Sequence, residues 1–93
     1  MINSVEISTK AQKALKKVPK YIIRKLLFWV NEVSEVGLRA TRKSPGWHDE
    51  PLKGKRKGQR SIRLSKAWRA IYIINDKNEI EFVEVIEVNK HEY

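Results

Sequence analysis

An apolar stripe in residues 20–36 restricts the possible folds of this 93-residue chain more than any other feature. Its members recur with helical spacing, and they are Ile22, Ile23, Leu26, Leu27, Val30 and Val33. That spacing places them on one side of an α-helix, which must pack against another apolar surface. Pro19 fits the first turn of such a helix, and Gly37 can end it. The sequence therefore predicts a long, mostly buried helix.

A shorter helix and a strand are predicted before Pro19. The apolar residues of this helix again have helical spacing, and they are Ala11, Ala14, Leu15 and Val18. The hydroxyl of Ser8 or Thr9 can accept a hydrogen bond from a free backbone N–H group at its start. Residues 5–7 alternate between apolar and charged side chains, which indicates a short strand. The two helices then form a hairpin.

Three consecutive strands are predicted in the second half of the chain, over residues 60–64, 68–74 and 79–88. Their short connections favour an antiparallel arrangement. The element order is therefore β-α-α-β-β-β, an α+β fold in which the helix hairpin covers one face of a small, mainly antiparallel sheet. Alternation in the first of these strands puts Ile62 and Leu64 on the core side. Ser61 and Arg63 then lie on the opposite, partly open face.

Residues 39–58 show no sustained periodicity and are predicted to form a long loop. They contain the turn and loop residues Pro45, Gly46, Pro51, Gly54 and Gly58. Loops of this length in a small domain are usually functional or disordered.

Length and composition exclude several classes of protein. Ninety-three residues suit a single domain spanning 1–93. The absence of cysteine excludes disulfides and a thiol nucleophile, and no motif for a metal or another cofactor is present. No apolar run is long enough for a membrane span, and the first residues do not have a signal-peptide pattern, so we expect a cytoplasmic protein without a membrane partner.

The net charge of +9 is concentrated in one third of the chain. Residues 39–69 hold eleven basic and two acidic side chains. Such a field attracts a polyphosphate, although a solvated basic loop is the simpler alternative. The cluster also runs into strand-like sequence and is interleaved with Trp47, Trp68 and Tyr72, which favours a polyphosphate site over a solvated loop. The RNA-binding candidates are Lys53, Lys55, Arg56, Lys57, Arg60 and Trp68.

Acidic residues dominate the last predicted strand. They are Glu79, Glu81, Glu84 and Glu87, and we interpret them as solubility charges on a strand face and not as metal ligands. Glu84 differs from the others in parity, which suggests an arginine partner for it.

A possible reaction centre combines two arginines with the end of the chain. Arg63 and Arg69 could stabilise charge that builds on a phosphate, and His91 could transfer a proton near neutral pH. The ring of Tyr93 could hold an unstacked base. Because RNA carries its own 2′-hydroxyl nucleophile, its cleavage would need no metal. A terminal histidine is also common as an ordinary surface residue, so these residues alone leave the assignment open.

Residues 51–72 resemble the signature of the RelE/ParE superfamily of bacterial toxins, and of its HigB branch in particular. The matching features are Leu52-Lys53-Gly54, the strand Ser61-Ile62-Arg63-Leu64, the pair Trp68-Arg69 and the closing Lys90-His91-Glu92-Tyr93. The resemblance implies a RelE-like fold over the whole chain. It also implies a toxin of a type II toxin–antitoxin pair that cuts mRNA on translating ribosomes by 2′-hydroxyl attack, without a metal.

The resemblance also implies roles for individual residues. Arg63 and Arg69 fall on positions that contact the scissile phosphate or its transition state. His91 falls near an acid/base position, Tyr93 near an aromatic that orients the substrate, and His48 near a functional histidine of some HigB-like members. The implied partners are the ribosome, mRNA and a HigA-like antitoxin with a helix-turn-helix domain.

Two alternatives remain open. The first is a toxin of the ParE type, which shares the fold but poisons DNA gyrase. Ser61 stands where some RelE-type members carry a lysine, so base catalysis by that lysine is absent here. A non-catalytic RNA-binding module with a basic groove is the second alternative.

Overall fold

A computed structural model describes residues 1–90. The strands are β1 (Val5–Ile7), β2 (Glu50–Pro51), β3 (Arg60–Arg63), β4 (Trp68–Lys77) and β5 (Ile80–Lys90). The α-helices are α1 (Thr9–Leu15), α2 (Lys20–Val36) and α3 (Leu38–Arg42), and short 3₁₀ turns occupy Pro45–Trp47 and Gly54–Arg56. Two of the predicted site residues, His91 and Tyr93, lie outside the described residues. None of the helices described is long and apolar enough to cross a membrane.

The five strands form one mixed sheet in the order β1-β5-β4-β3-β2. β4 and β5 form a long hairpin, and β3 and β2 continue the antiparallel pairing. β1 lies at the other edge and pairs with β5 in parallel. The predicted α+β class with a mainly antiparallel sheet is therefore confirmed.

The helices pack on one face of the sheet, as predicted. The stripe of α2 buries Ile22, Leu26, Trp29 and Val33. On the sheet side these residues meet Ile62, Tyr72, Val83 and Val85, within one hydrophobic cluster. Burying each large apolar side chain contributes about 1.5–3 kcal/mol, so this contact is the main source of stability. The opposite face of the sheet carries none of the three described α-helices and is called the helix-free face below.

The predicted start of α1 and the predicted end of α2 are confirmed, whereas α1 ends at Leu15, before the predicted Val18. Ser8 Oγ accepts a 3.1 Å hydrogen bond from the backbone N–H of Ala11 at the start of α1. Gly37 ends α2 with a φ of +86°, a conformation that favours glycine. A Cβ atom at Gly37 would lie 2.7 Å from Met1 Cγ, so a larger residue would also collide with the start of the chain.

The prediction of a long loop over residues 39–58 is wrong. This segment contains most of α3, both 3₁₀ turns and β2, and the observed order has one helix and one strand more than predicted. Its order comes from tertiary contacts that no local periodicity reveals. Trp47 is only 5% exposed and belongs to the core, and Thr41 is buried with its Oγ1 donating a 2.8 Å hydrogen bond to the Gly37 carbonyl.

Candidate active site

Arg63 and Arg69 lie directly opposite each other on β3 and β4. The neighbouring pair, Ile62 and Ala70, is buried in the core. Because side chains alternate along a strand, both arginines lie on the helix-free face. Two guanidinium groups at opposite positions of a sheet concentrate positive charge, which attracts an anion.

A shallow cavity of about 200 Å³ opens on this face at the end of the β3–β4 hairpin. The side chains around it are mostly polar: His48, Glu50, Ser61, Arg63, Ser65, Lys66, Trp68 and Arg69. Three of the eight are cationic, one is acidic and one is an imidazole. The structure therefore brings together four of the predicted site residues, namely Arg63, Arg69, His48 and Trp68.

Glu50 is the site residue that the sequence analysis missed. It begins β2 and pairs with Ser61 on β3, so its side chain lies on the same face as Arg63. The available signal was its position: Asp49 and Glu50 are the only two acids among residues 39–69, and Glu50 directly precedes the Pro51–Gly54 part of the toxin-like signature. Glu50 lies on the same face as the arginines because of the pairing between β2 and β3, and the sequence did not predict β2.

His48 reaches the cavity through a strained backbone. It ends the first 3₁₀ turn in the left-handed region, with φ 46° and ψ 50°. Residues other than glycine rarely adopt this conformation, and it persists where the surroundings enforce it. The side chain is exposed and lines the cavity.

Asp49, between His48 and Glu50, is held on the other side of the sheet by Tyr72 and Arg60. Tyr72 Oη donates a 2.5 Å hydrogen bond to Asp49 Oδ2, and Arg60 Nε donates one of 2.6 Å to Oδ1. Arg42 Nε donates to the same tyrosine oxygen at 3.3 Å. Burial, followed by the hydrogen bond to Asp49, raises the pKa of Tyr72 to about 12. Tyr72 is therefore a neutral donor at physiological pH.

Arg60 differs from the other RNA-binding candidates in its position. It pairs with Tyr72 across β3 and β4 on the helix-facing side, and it does not line the cavity. Burial opposes the charge of Arg60, but the hydrogen bond and ion pair with Asp49 outweigh it and raise its pKa. Its guanidinium therefore has a structural partner within the protein.

Arg56 reaches over the helix-free face to Glu87 on β5, with Nη1 2.7 Å from Oε2. The hydrogen bond from Arg56 is the main cause that lowers the pKa of Glu87. Ile71, opposite Glu87 in the sheet, is 3% exposed, so this part of the face is covered. The interpretation of Glu87 as a solubility charge is wrong. Glu84, for which an arginine was suggested, accepts a hydrogen bond from Asn75 at 3.2 Å.

The remaining basic candidates, Lys53, Lys55 and Lys57, are exposed around the second 3₁₀ turn. Among the phenylalanine, tyrosine and tryptophan side chains of residues 1–90, Trp68 alone lines the cavity, and it is half-buried against the core. Trp47 and Tyr72, the other two aromatic residues of the basic cluster, are buried in the core.

The described chain ends beside the cavity. Lys90 pairs with Trp68, and Asn89 pairs with Arg69. Nothing in residues 1–90 forms a cluster of three or more metal-ligating side chains. The arrangement offers two guanidinium groups for a phosphate, with a carboxylate and an imidazole beside them for proton transfer.

Several solved toxin structures share this fold. RelBE2 from Mycobacterium tuberculosis, a toxin–antitoxin complex, matches with a TM-score of 0.70 and 23% identity over 98% of this chain and 100% of that one. The DinJ–YafQ toxin–antitoxin complex from Escherichia coli matches with a TM-score of 0.72 and 22% sequence identity, over 98% of this chain and 94% of that one. A YoeB/ParE toxin from Agrobacterium tumefaciens matches with a TM-score of 0.66 and 17% sequence identity, over 96% of this chain and 99% of that one.

The chain thus has the fold of the RelE/ParE superfamily of toxins, as the sequence resemblance predicted. The matching structures are of RelE, YafQ, YoeB and ParE type and do not single out the HigB branch. No family model matches the sequence, and no curated protein matches it significantly.

Proposed function

We propose that the protein is the toxin of a type II toxin–antitoxin pair, of the HigB branch, and that it cuts mRNA during translation. One observation carries this proposal: Arg63 and Arg69 face each other at a cavity that also holds Glu50 and His48. That set can bind a phosphodiester and move two protons. The RelE-like fold supports the same class of protein.

The proposed reaction uses the RNA as its own nucleophile. Glu50 takes the proton of a ribose 2′-hydroxyl, whose oxygen attacks the adjacent phosphorus. The bond from phosphorus to the 5′-oxygen breaks, which leaves a 2′,3′-cyclic phosphate. An imidazole, from His48 or from the chain end at His91, gives a proton to the departing oxygen. Arg63 and Arg69 stabilise the charge that develops on the phosphoryl oxygens.

Other residues hold the RNA strand. The exposed Lys53, Lys55 and Lys57 extend the positive field beyond the cavity. Trp68 forms one wall, and Tyr93 keeps the orienting role that the resemblance implies. No metal or other cofactor enters this reaction.

The proposed partners are the translating ribosome with its mRNA, and an antitoxin. Solved complexes of similar folds contain an antitoxin, as in RelBE2, DinJ–YafQ and YoeB–YefM. A net charge of +9 favours an acidic partner surface. We expect a HigA-like antitoxin with a helix-turn-helix domain, and action of the single 1–93 domain in the cytoplasm.

Transcript mapping after induced expression tests the proposal. We expect growth arrest and primer-extension stops at defined codon positions that vanish when translation is blocked. His91→Ala and Arg69→Ala should relieve the arrest while the protein stays folded. Intact transcripts with DNA-damage signalling would identify a gyrase poison instead. Salt-sensitive RNA binding without cleavage, even with ribosomes present, would identify a binding module.

A further inference from the structure

Asp49 separates the two acid/base candidates of the cavity but does not enter it. His48 and Glu50 line the cavity, whereas the side chain of Asp49 is 1% exposed and lies on the helix-facing side. The three residues are consecutive, so a rotation of the backbone at Asp49 would move both neighbours together. The position of this one buried carboxylate therefore decides where the two groups enter the site.

The carboxylate is held at both oxygens. Tyr72 donates to Oδ2 at 2.5 Å, and Arg60 donates to Oδ1 at 2.6 Å. A second nitrogen of Arg60 approaches the backbone carbonyl of Asp49 at 3.4 Å. Charge-assisted hydrogen bonds of this kind are stronger than neutral ones and define a direction.

The two residues that hold Asp49 belong to the rigid part of the fold. Arg60 and Tyr72 are paired across β3 and β4, and the ring of Tyr72 packs on Trp29 of α2 with centroids 5.3 Å apart. The same two strands carry Arg63 and Arg69 further along. Asp49 thus ties its segment to the strands that present the arginines.

We propose that Asp49 is a positioning residue, which fixes His48 and Glu50 relative to the arginine pair. The inference rests on the proposed function, because it assigns the cavity as the reaction site. If Asp49 served stability alone, its buried carboxylate would need only a cationic partner, and Arg60 is that partner. The strained backbone of His48 adds a second need, because it persists only while its neighbours enforce it.

The test compares Asp49→Asn with the core variant Val33→Ala, which removes buried volume from α2 and leaves both hydrogen bonds to the Asp49 carboxylate in place. Cleavage of a translated mRNA is measured with excess ribosomes, together with ribosome affinity and the NMR signals of the His48 imidazole. We expect Asp49→Asn to lower the cleavage rate about 10- to 100-fold, with affinity changed by less than about twofold. The His48 signals should move in Asp49→Asn and stay in place in Val33→Ala.

Tyr72→Phe serves as the second variant if Asp49→Asn does not fold. It keeps the ring against Trp29 and should move the His48 signals in the same direction with a smaller loss of rate. Unmoved His48 signals in the folded variant, or a rate loss that Val33→Ala reproduces at equal stability, would overturn the inference. A wild-type protein that does not cleave RNA would refute the proposed function, and the NMR comparison would still decide whether Asp49 positions its neighbours.

Discussion

The hydroxyl of Tyr72 donates a 2.5 Å hydrogen bond to Oδ2 of Asp49 and so connects the hydrophobic core to the segment that enters the candidate site. The ring of Tyr72 is buried against Trp29, while its oxygen lies at the boundary between the core and that segment. A single side chain therefore serves both the stability of the fold and the geometry of the site.

Tyr72→Phe should destabilise the protein by about 1.5–3 kcal/mol, because it removes a hydrogen bond to a charged group and leaves part of a buried carboxylate unsatisfied. The free energy of unfolding from urea titration measures the loss. Tyr21→Phe is the matched control, because Tyr21 is 57% exposed and its change should stay within about 0.5 kcal/mol. Equal stability of the two variants would contradict the prediction.

Alkaline pH should destabilise the protein through the same tyrosine. Its pKa is raised from 10.0 to about 12 in the folded state. The unfolded chain therefore loses this proton first as the pH rises, and stability falls between about pH 10 and pH 12. Below that range the phenol is protonated in both states and contributes no pH dependence. Urea titrations across the range should give a steeper decline for the wild type than for Tyr72→Phe.

Arg63→Ala should reduce cleavage about 100- to 1000-fold, since the lost guanidinium stabilises charge at the reacting phosphate. The slope of log affinity against log salt concentration for RNA binding should also decrease by about one, the value for one lost phosphate contact. Arg39→Ala, which removes an exposed arginine on α3 outside the cavity, is the control for net charge. A similar loss in both variants would show that only the overall field matters.

Glu50→Gln should abolish proton removal from the 2′-hydroxyl while RNA binding persists. General base catalysis contributes about 10²–10⁴-fold, so the cleavage rate should fall by that range. RNA affinity should stay equal or increase, because a negative charge leaves a cationic cavity. Cleavage at the wild-type rate would exclude Glu50 as the base and leave the imidazoles as candidates.

The sequence predicted the parts of the fold that depend on periodicity and on capping. The stripe of α2, the glycine stop at Gly37 and the parity of β3 could all be predicted, and that parity placed Arg63 on the open face of the sheet. Long-range contacts decided the rest. β2 is two residues long and has no pattern of its own, so neither its pairing nor the position of Glu50 could be inferred. Arg60 looked like another RNA-binding cation because its buried partner, Asp49, is eleven residues away.

The parallel pairing of β1 with β5 has a consequence for synthesis. Among the described residues, the only strand partner of β1 is β5, and the backbone N–H of Val83 also donates a 2.8 Å hydrogen bond to the carbonyl of Ser4. A growing polypeptide cannot close this sheet until β5 has left the exit tunnel. The first strand therefore gains its place in the sheet only after the β4–β5 hairpin has been synthesised.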